Sequence, residues 1–240
     1  MKKLTGETKL LLIMGLIVLL GGGFLAFAPQ NQDRPPGQGG PTPVPEATPK
    51  PPSKEEFEKL FSAKGAHIEG SATADLAVIE FGDVECSSCR YAYDKFGKKF
   101  GKEIPVQLSF RHLPLDIHQF GKPCALALEA AGNQGKFWEL YHALYAEPSM
   151  LLNMEVIQEK AKSVGLDMAK FEADRKSAEA VTRVEDDMKL GETLGVTRTP
   201  TFFVLSRKDG TVRTAVGPRE FLKAFQGTPG LPTPEPEKKR

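Results

Sequence analysis

The sequence predicts an α/β domain, one sheet with helices packed on it, behind an apolar N-terminal segment and a proline-rich linker. Three observations predict it. An almost wholly apolar run, Ala77-Val78-Ile79-Glu80-Phe81, reads as a strand buried on both faces. Apolar residues at helical spacing fill the middle of the chain, as in Phe137, Leu140, Tyr141 and Leu144. A second apolar run, Phe202 to Leu205, follows that block and leads to the hairpin signal Asp209-Gly210. Strands on both sides of a helical block imply a single sheet carrying helices.

The elements follow in chain order. Lys2, Lys3 and Lys9 precede an uncharged run over residues 10–28, and such a run, as a helix of roughly 28 Å, matches the hydrocarbon thickness of a bilayer. It is expected to be an uncleaved membrane anchor with the lysines cytoplasmic and the rest exported. The rival is a cleaved signal peptide ending at Ala26-Phe27-Ala28, which Pro29 disfavours. Nine of the 25 residues in 29–53 are proline, so this stretch is expected to be an extended linker. The folded domain is expected over residues 54–226, with its helical block at about 113–196 and a disordered tail at 227–240.

Ser53 and Glu56 form a capping-box pattern for a helix running through Phe61. After the first strand, a helix is expected from the cysteines to about Lys102. Val106, Leu108 and Phe110 alternate with polar residues and predict the second strand. Gly132-Asn133-Gln134-Gly135-Lys136 has the wrong spacing for a phosphate-binding loop and reads as a helix–helix turn. Val156 and Ile157 lead one further helix, and Val181, Val184 and Met188 mark another. Val212, Thr214 and Val216 alternate as the second arm of the hairpin. Gly217-Pro218 then opens a last helix with proline in its first turn.

The chain has 240 residues and a formal net charge of +1, which gives no global field for nucleic acid. Its three cysteines, Cys86, Cys89 and Cys124, are too few for a disulfide scaffold. Cys86-Ser87-Ser88-Cys89 follows a buried strand and begins a helix, which reads as a redox dithiol. Positions i and i+3 share a helix face within disulfide reach. Cys86 at the helix start meets free N–H groups that favour a thiolate, and Cys89, one turn in, is placed to resolve a mixed disulfide. The Ser87 and Ser88 hydroxyls are candidate donors to that thiolate. A zinc or copper half-site is the alternative, but Cys124 and the four histidines offer no matching ligand spacing.

Glu80, inside the apolar strand, is either a buried acid that exchanges a proton with Cys89 or a structural carboxylate paired with a lysine. Pro200 stands at the start of the late strand. A cis bond there would present the Thr199 backbone to an extended substrate, although base rates favour trans. Cys124, among Ala125, Ala127, Ala130 and Ala131, is expected to be a buried inert thiol.

Three segments carry a resemblance to a known family. Phe81-Gly82-Asp83-Val84-Glu85-Cys86-Ser87-Ser88-Cys89-Arg90, Gly135-Lys136-Phe137-Trp138-Glu139-Leu140 and Leu194-Gly195-Val196-Thr197-Arg198-Thr199-Pro200-Thr201-Phe202-Phe203 resemble, in order and separation, DsbA-like thioredoxin-fold proteins. The resemblance spans about residues 64–226. It implies a thioredoxin core with an inserted helical subdomain and thiol–disulfide oxidoreductase activity. It further implies Cys86 as nucleophile, Cys89 as resolving thiol, Glu80 as buried acid, Pro200 as a cis-proline and Thr199 as the residue that pairs with substrate. Thiols of exported proteins would be the substrates and a membrane redox protein the partner, on the outer side of a bacterial cell membrane, with no cofactor beyond the Cys86–Cys89 disulfide. Two departures stand out. Ser-Ser replaces the proline–histidine pair of strongly oxidising relatives, and Arg198 replaces a common glycine, where it either adds charge near Cys86 or faces solvent.

Overall fold

The computed structural model describes residues 48–63 and 65–235. The expected membrane anchor, most of the linker and the last five residues of the tail lie outside the described residues. Among the described residues, no helix is long and apolar enough to cross a membrane.

Helix α1, Lys54–Phe61, starts at the predicted box: the Glu56 N–H donates to Ser53 Oγ at 3.2 Å and the Ser53 N–H to Glu56 Oε2 at 2.8 Å. Five strands follow: β1 His67–Glu69, β2 Leu76–Gly82, β3 Val106–His112, β4 Thr201–Ser206 and β5 Val212–Val216. They form one sheet in the order β1-β3-β2-β4-β5, with β2 and β3 parallel and the other pairs antiparallel. All seven residues of β2 are buried, as a strand flanked by neighbours and covered on both faces must be.

The dithiol helix α2, Ser87–Lys95, follows β2. It is shorter than its expected end near Lys102. Phe96 leaves helical geometry at φ −146°, and a short 3₁₀ turn, Gly97–Lys99, replaces the last turns. This turn lets Phe96 and Phe100 both enter the core, where Phe96 stacks on Phe221 at 4.8 Å between ring centroids.

Between β3 and β4 lie α3 Gly121–Gly132, α4 Phe137–Ala146, α5 Met154–Ser163, α6 Met168–Asp174 and α7 Ala178–Thr193. The turn between α3 and α4 is the predicted one, with Gly135 at φ +69°, a left-handed conformation that glycine adopts without strain. Helix α8, Pro218–Ala224, opens with its proline in the first turn. Past it, Leu231 packs on the core and Glu235 Oε1 accepts from Lys95 Nζ at 2.9 Å, so the tail expected to be disordered keeps contacts through residue 235.

Alternation along β2 divides the core. Ala77, Ile79 and Phe81 pack beneath α1 with Phe203 and Leu205, whereas Leu76 and Val78 face Ala92 of α2, Phe96 just past its end and Phe221 of α8. By the same period of two, Glu80 shares the face of Leu76 and Val78, the face that α2 covers. A third cluster joins Cys86, Cys89 and Tyr93 to α3, α4, α5 and Phe171 of α6.

Candidate active site

The site forms where the C-terminal ends of β2 and β3 meet the first turn of α2. Cys86 is the N-cap of α2, with extended backbone, and Arg90 N–H donates to its carbonyl at 3.0 Å. The Cys86 side chain makes no capping hydrogen bond, and it lies at the helix end where the free N–H groups of the first turn favour negative charge. Cys86 is 7% exposed and Cys89 0%, and both are free thiols. Only the first sulfur can be reached from outside.

The two thiols are driven apart in acidity. The Cys89 thiol donates to the Cys86 sulfur, and the Cys89 and Ser88 N–H groups add to this, so the Cys86 pKa falls to about 5 although burial opposes it. Burial pushes the Cys89 thiol well above its ordinary value, and the Cys86 charge adds to the rise. Cys86 is thus the group that exists as a thiolate at neutral pH, and Cys89 the one that keeps its proton.

Glu80 is 4% exposed in β2, opposite Phe110 of β3 and Phe202 of β4. Burial, with the nearby Cys86 charge, raises its pKa to about 8. Among the described residues no lysine pairs with it, so the structural ion-pair alternative does not describe it. A carboxyl with a pKa of about 8 keeps its proton at neutral pH, close enough to its ionisation to give that proton up and take it back.

The Thr199–Pro200 bond is cis, as the resemblance implies and against the base rate for such bonds. The Thr199 carbonyl stands 3.5 Å from Cys86 Sγ, within reach of a hydrogen bond from the sulfur when it is protonated. Thr199 and Pro200 are both buried here, 113 residues from Cys86 in sequence. Ser87 is exposed at the mouth and Ser88 half-buried. Arg198 is exposed. Cys124 is fully buried on α3, and burial raises its pKa far above that of a reactive thiol. Cys86, Cys89, Glu80, Thr199 and Pro200 therefore meet in one place. Among the described residues, no group of three or more His, Cys, Asp or Glu side chains could hold a metal ion.

Two supports have no counterpart in the sequence reading. The buried Asp83 carboxylate accepts from His118 Nδ1 at 2.6 Å and from the backbone N–H groups of Leu115 and Glu85, both at 2.9 Å. Its own carbonyl accepts from Cys86 N–H at 3.1 Å. A Cβ on Gly121 would lie 2.8 Å from this carboxylate, so glycine is required for the loop to close on it. The second support is Arg90, buried directly after Cys89. The Asp83 to Glu85 link spans two residues, an Asx-turn that an acid before the motif could have signalled. The His118 contact spans 35 residues and has no local signal.

Comparison with known proteins agrees with this geometry. A family profile described as Thioredoxin matches residues 62–224. The chain is 27% identical to a thioredoxin-like oxidoreductase from Silicibacter pomeroyi, with a TM-score of 0.57, over 70% of this chain and 94% of that one. It shares its fold with the thiol-disulfide exchange protein alpha-DsbA2 of Wolbachia pipientis at 17% identity and a TM-score of 0.57, over 68% and 86% of the two chains. Among curated proteins it is 33% identical over 181 residues to a Na(+)/H(+) antiporter NhaA 1 of Salinispora arenicola, a match covering 72% of this chain but 27% of that protein. The chain thus spans about a quarter of the length of the curated relatives it matches. The profile match covers well over half of the chain, and the chain belongs to the thioredoxin family, as a thiol–disulfide oxidoreductase with a DsbA-like fold.

Proposed function

We propose that this oxidoreductase forms disulfides in exported proteins by exchange at Cys86 and Cys89. The observation that carries the reading is the opposed acidity of the two sulfurs, with Cys86 at about 5 and Cys89 far higher. A dithiol whose reduced form is stabilised as a thiolate gives up electrons reluctantly, which makes its disulfide an oxidant. In the oxidising direction a client thiolate attacks Cys86 Sγ, the Cys86–Cys89 bond breaks, and Cys89 leaves as a thiolate that takes a proton from Glu80. A second client thiolate then attacks the client sulfur of the mixed disulfide. The client gains its disulfide and the enzyme keeps both electrons as a dithiol. A membrane redox protein would remove them again.

In this reading the Thr199 backbone beside Pro200 pairs with the extended client. Ser87 and Ser88 line the mouth, where their hydroxyls can meet client or thiolate. The expected anchor over residues 10–28 would hold the domain on the outer face of a bacterial cell membrane, with the linker as spacer. Support for this address comes from the lysine-flanked apolar run and from the usefulness of an oxidising dithiol in an oxidising compartment. Ion antiport is not carried over from curated relatives of which the chain spans a quarter.

The Cys89→Ala variant, expressed in its native cells, should accumulate mixed disulfides with exported proteins through Cys86. Reducing-agent-sensitive adducts on gels, absent in a Cys86→Ser Cys89→Ala double variant, are the expected result. An accessible Cys86 that traps no partner would refute the reading. The equilibrium of the wild-type pair with glutathione then sets the direction. A potential near about −120 mV supports an oxidase, and one near about −270 mV assigns a reductase.

A further inference from the structure

We propose that the strap that follows α8, residues 228–235, is a specificity-determining element for the exchange reaction. Its tip, Glu235, lies on the exposed stripe of α2 that leads to the mouth of Cys86, so an extended client reaches the sulfur by displacing it. The proposal rests on the dithiol chemistry above and concerns which thiols gain access to it.

The mouth is walled on two flanks. On one, the Thr199 carbonyl stands 3.5 Å from Cys86 Sγ. On the other, α2 is bound to the helical block. The Arg90 guanidinium donates to the carbonyls of Tyr145 at 3.0 Å and Leu144 at 3.2 Å at the end of α4, and to that of Glu147 beyond it. Cys86 and Tyr93 pack in one cluster with Leu128 of α3 and Tyr141 of α4. The exposed residues of α2 lead away from the mouth between these flanks. Ser87, Tyr91 and Lys95 are spaced four residues apart and all exposed, so they form one stripe on the helix. Ser87 adjoins Cys86, and Tyr91 lies about 6 Å further along the axis. A client chain, extended at about 3.3 Å per residue, that continues past the sulfur along this stripe meets Tyr91 within about two residues. Tyr91 is 38% exposed and offers that chain an apolar ring.

The strap occupies this place. Its base is fixed by shape. Gly230, at φ +80°, lies so close to the chain before β3 that a Cβ would stand 2.7 Å from the Glu103 carbonyl oxygen. Leu231 packs on the core cluster that holds Ile104 and Phe225. Pro232 and Pro234 stiffen the next stretch, which runs back along α2 toward its dithiol end. The tip is held by polar contacts. Glu235 Oε1 accepts from the Tyr91 hydroxyl at 3.1 Å and from Lys95 Nζ at 2.9 Å, and the Lys95 and Glu235 side chains are 43% and 63% exposed.

Base and tip differ in strength. Removing Leu231 from the core exposes apolar surface, whereas an exposed ion pair contributes little and is screened by salt. Such contacts bias the tip toward the closed position by about threefold to tenfold. The rate with an extended chain carries the open fraction as a factor, and the rate with a small thiol does not. The strap therefore discriminates by the size of the thiol and leaves the chemistry of the dithiol untouched.

The test compares two reagents on the oxidised full chain: 2-mercaptoethanol, and an uncharged peptide of about ten residues with one central cysteine, long enough to span the stripe. Stopped-flow rates are read for wild type, Glu235→Lys, Lys95→Glu and the Lys95→Glu Glu235→Lys exchange. Each single change sets like charges against each other at the tip. It should raise the peptide rate about threefold to tenfold and leave the 2-mercaptoethanol rate unchanged. The exchanged pair restores the attraction and should bring the peptide rate back toward wild type, which a loss of structure would not do. Peptide rates that stay at the wild-type value in both single variants, that rise equally for both reagents, or that stay high in the exchanged pair overturn the proposal and leave a strap that only covers the core. A wild-type chain that reacts with neither reagent would instead refute the dithiol chemistry on which the proposal rests.

Discussion

Cys86 and Cys89 are the same amino acid one helical turn apart, yet they are different reagents, and position alone makes them so. Cys86 is the N-cap and receives donors. Cys89 is sealed under α4, keeps its proton and donates a hydrogen bond with it to the Cys86 sulfur. Glu80 completes the asymmetry, because a carboxyl at about pKa 8 can hold the proton that Cys89 takes or releases. Replacing it by glutamine preserves shape and removes that proton. Glu80→Gln should lower the rate of mixed-disulfide resolution by about 10²-fold, the low end for a general acid–base group. It should also erase an inflection near pH 8 in the rate profile. Both are measurable by quenched-flow trapping. An unchanged profile would assign the proton to water.

At the scale of elements, what the sequence displayed and what it hid separate by range. The β2 run, the capping box at Ser53, the turn at Gly135 and the proline at the start of α8 rest on neighbours a few residues apart, and each appears in the structure where the pattern put it. The end of α2 does not, because burial of Phe96 and Phe100 against Phe221, more than a hundred residues away, overrides the local helical pattern. Strand β1 has three residues and α6 seven, too short to show a period. The dithiol was legible as a motif. Its supports were not, because Asp83 with His118 and Arg90 with the α4 carbonyls pair across 35 to 57 residues.

The strongest such tie joins α7 to β3. Val181, Val184 and Met188 marked α7 in sequence, yet its buried face also carries Asp187. Its carboxylate accepts from Arg111 Nη1 at 3.0 Å and from the His112 backbone N–H at 3.0 Å, with both side chains at most 3% exposed. Breaking one side of such a pair leaves a buried charge, at a cost of about 3–5 kcal/mol. Asp187→Ala should therefore lower unfolding free energy by that amount in urea titrations. An Arg111→Met Asp187→Leu double variant should recover much of it, since two matched apolar side chains leave no charge unpaired. A double variant no better than the single one would mean that the His112 backbone bond carries the tie.

For the molecule as a whole, the same ionisations that drive the chemistry set how stability varies with pH, and they do so differently in the two redox states. Glu80 ionises near 4.5 in the unfolded chain and near 8 in the fold, so between these values the fold binds the extra proton. Its contribution is complete below about pH 4.5 and is lost as pH rises to 8, at up to about 1.4 kcal/mol per unit. Cys86 runs the other way in the reduced protein. Its thiol ionises near 9 unfolded and near 5 folded, so stability rises with pH across that window and offsets the loss from Glu80. Glu56, Glu129, Glu172 and Asp209, whose carboxyls are held below their ordinary values, are ionised throughout the neutral range and do not enter. The reduced protein should therefore lose stability only gently between pH 5.5 and 7.5. The oxidised protein, whose Cys86 has no proton to lose, should fall more steeply. Urea unfolding of both redox forms at three pH values in this range measures the two slopes. The difference between them is how far the pH dependence of the reduction potential in the folded chain departs from that in the unfolded chain, because folding and reduction close one thermodynamic cycle. Parallel slopes would show that Cys86 ionises alike in the folded and unfolded chains, and the oxidant reading would lose its physical basis.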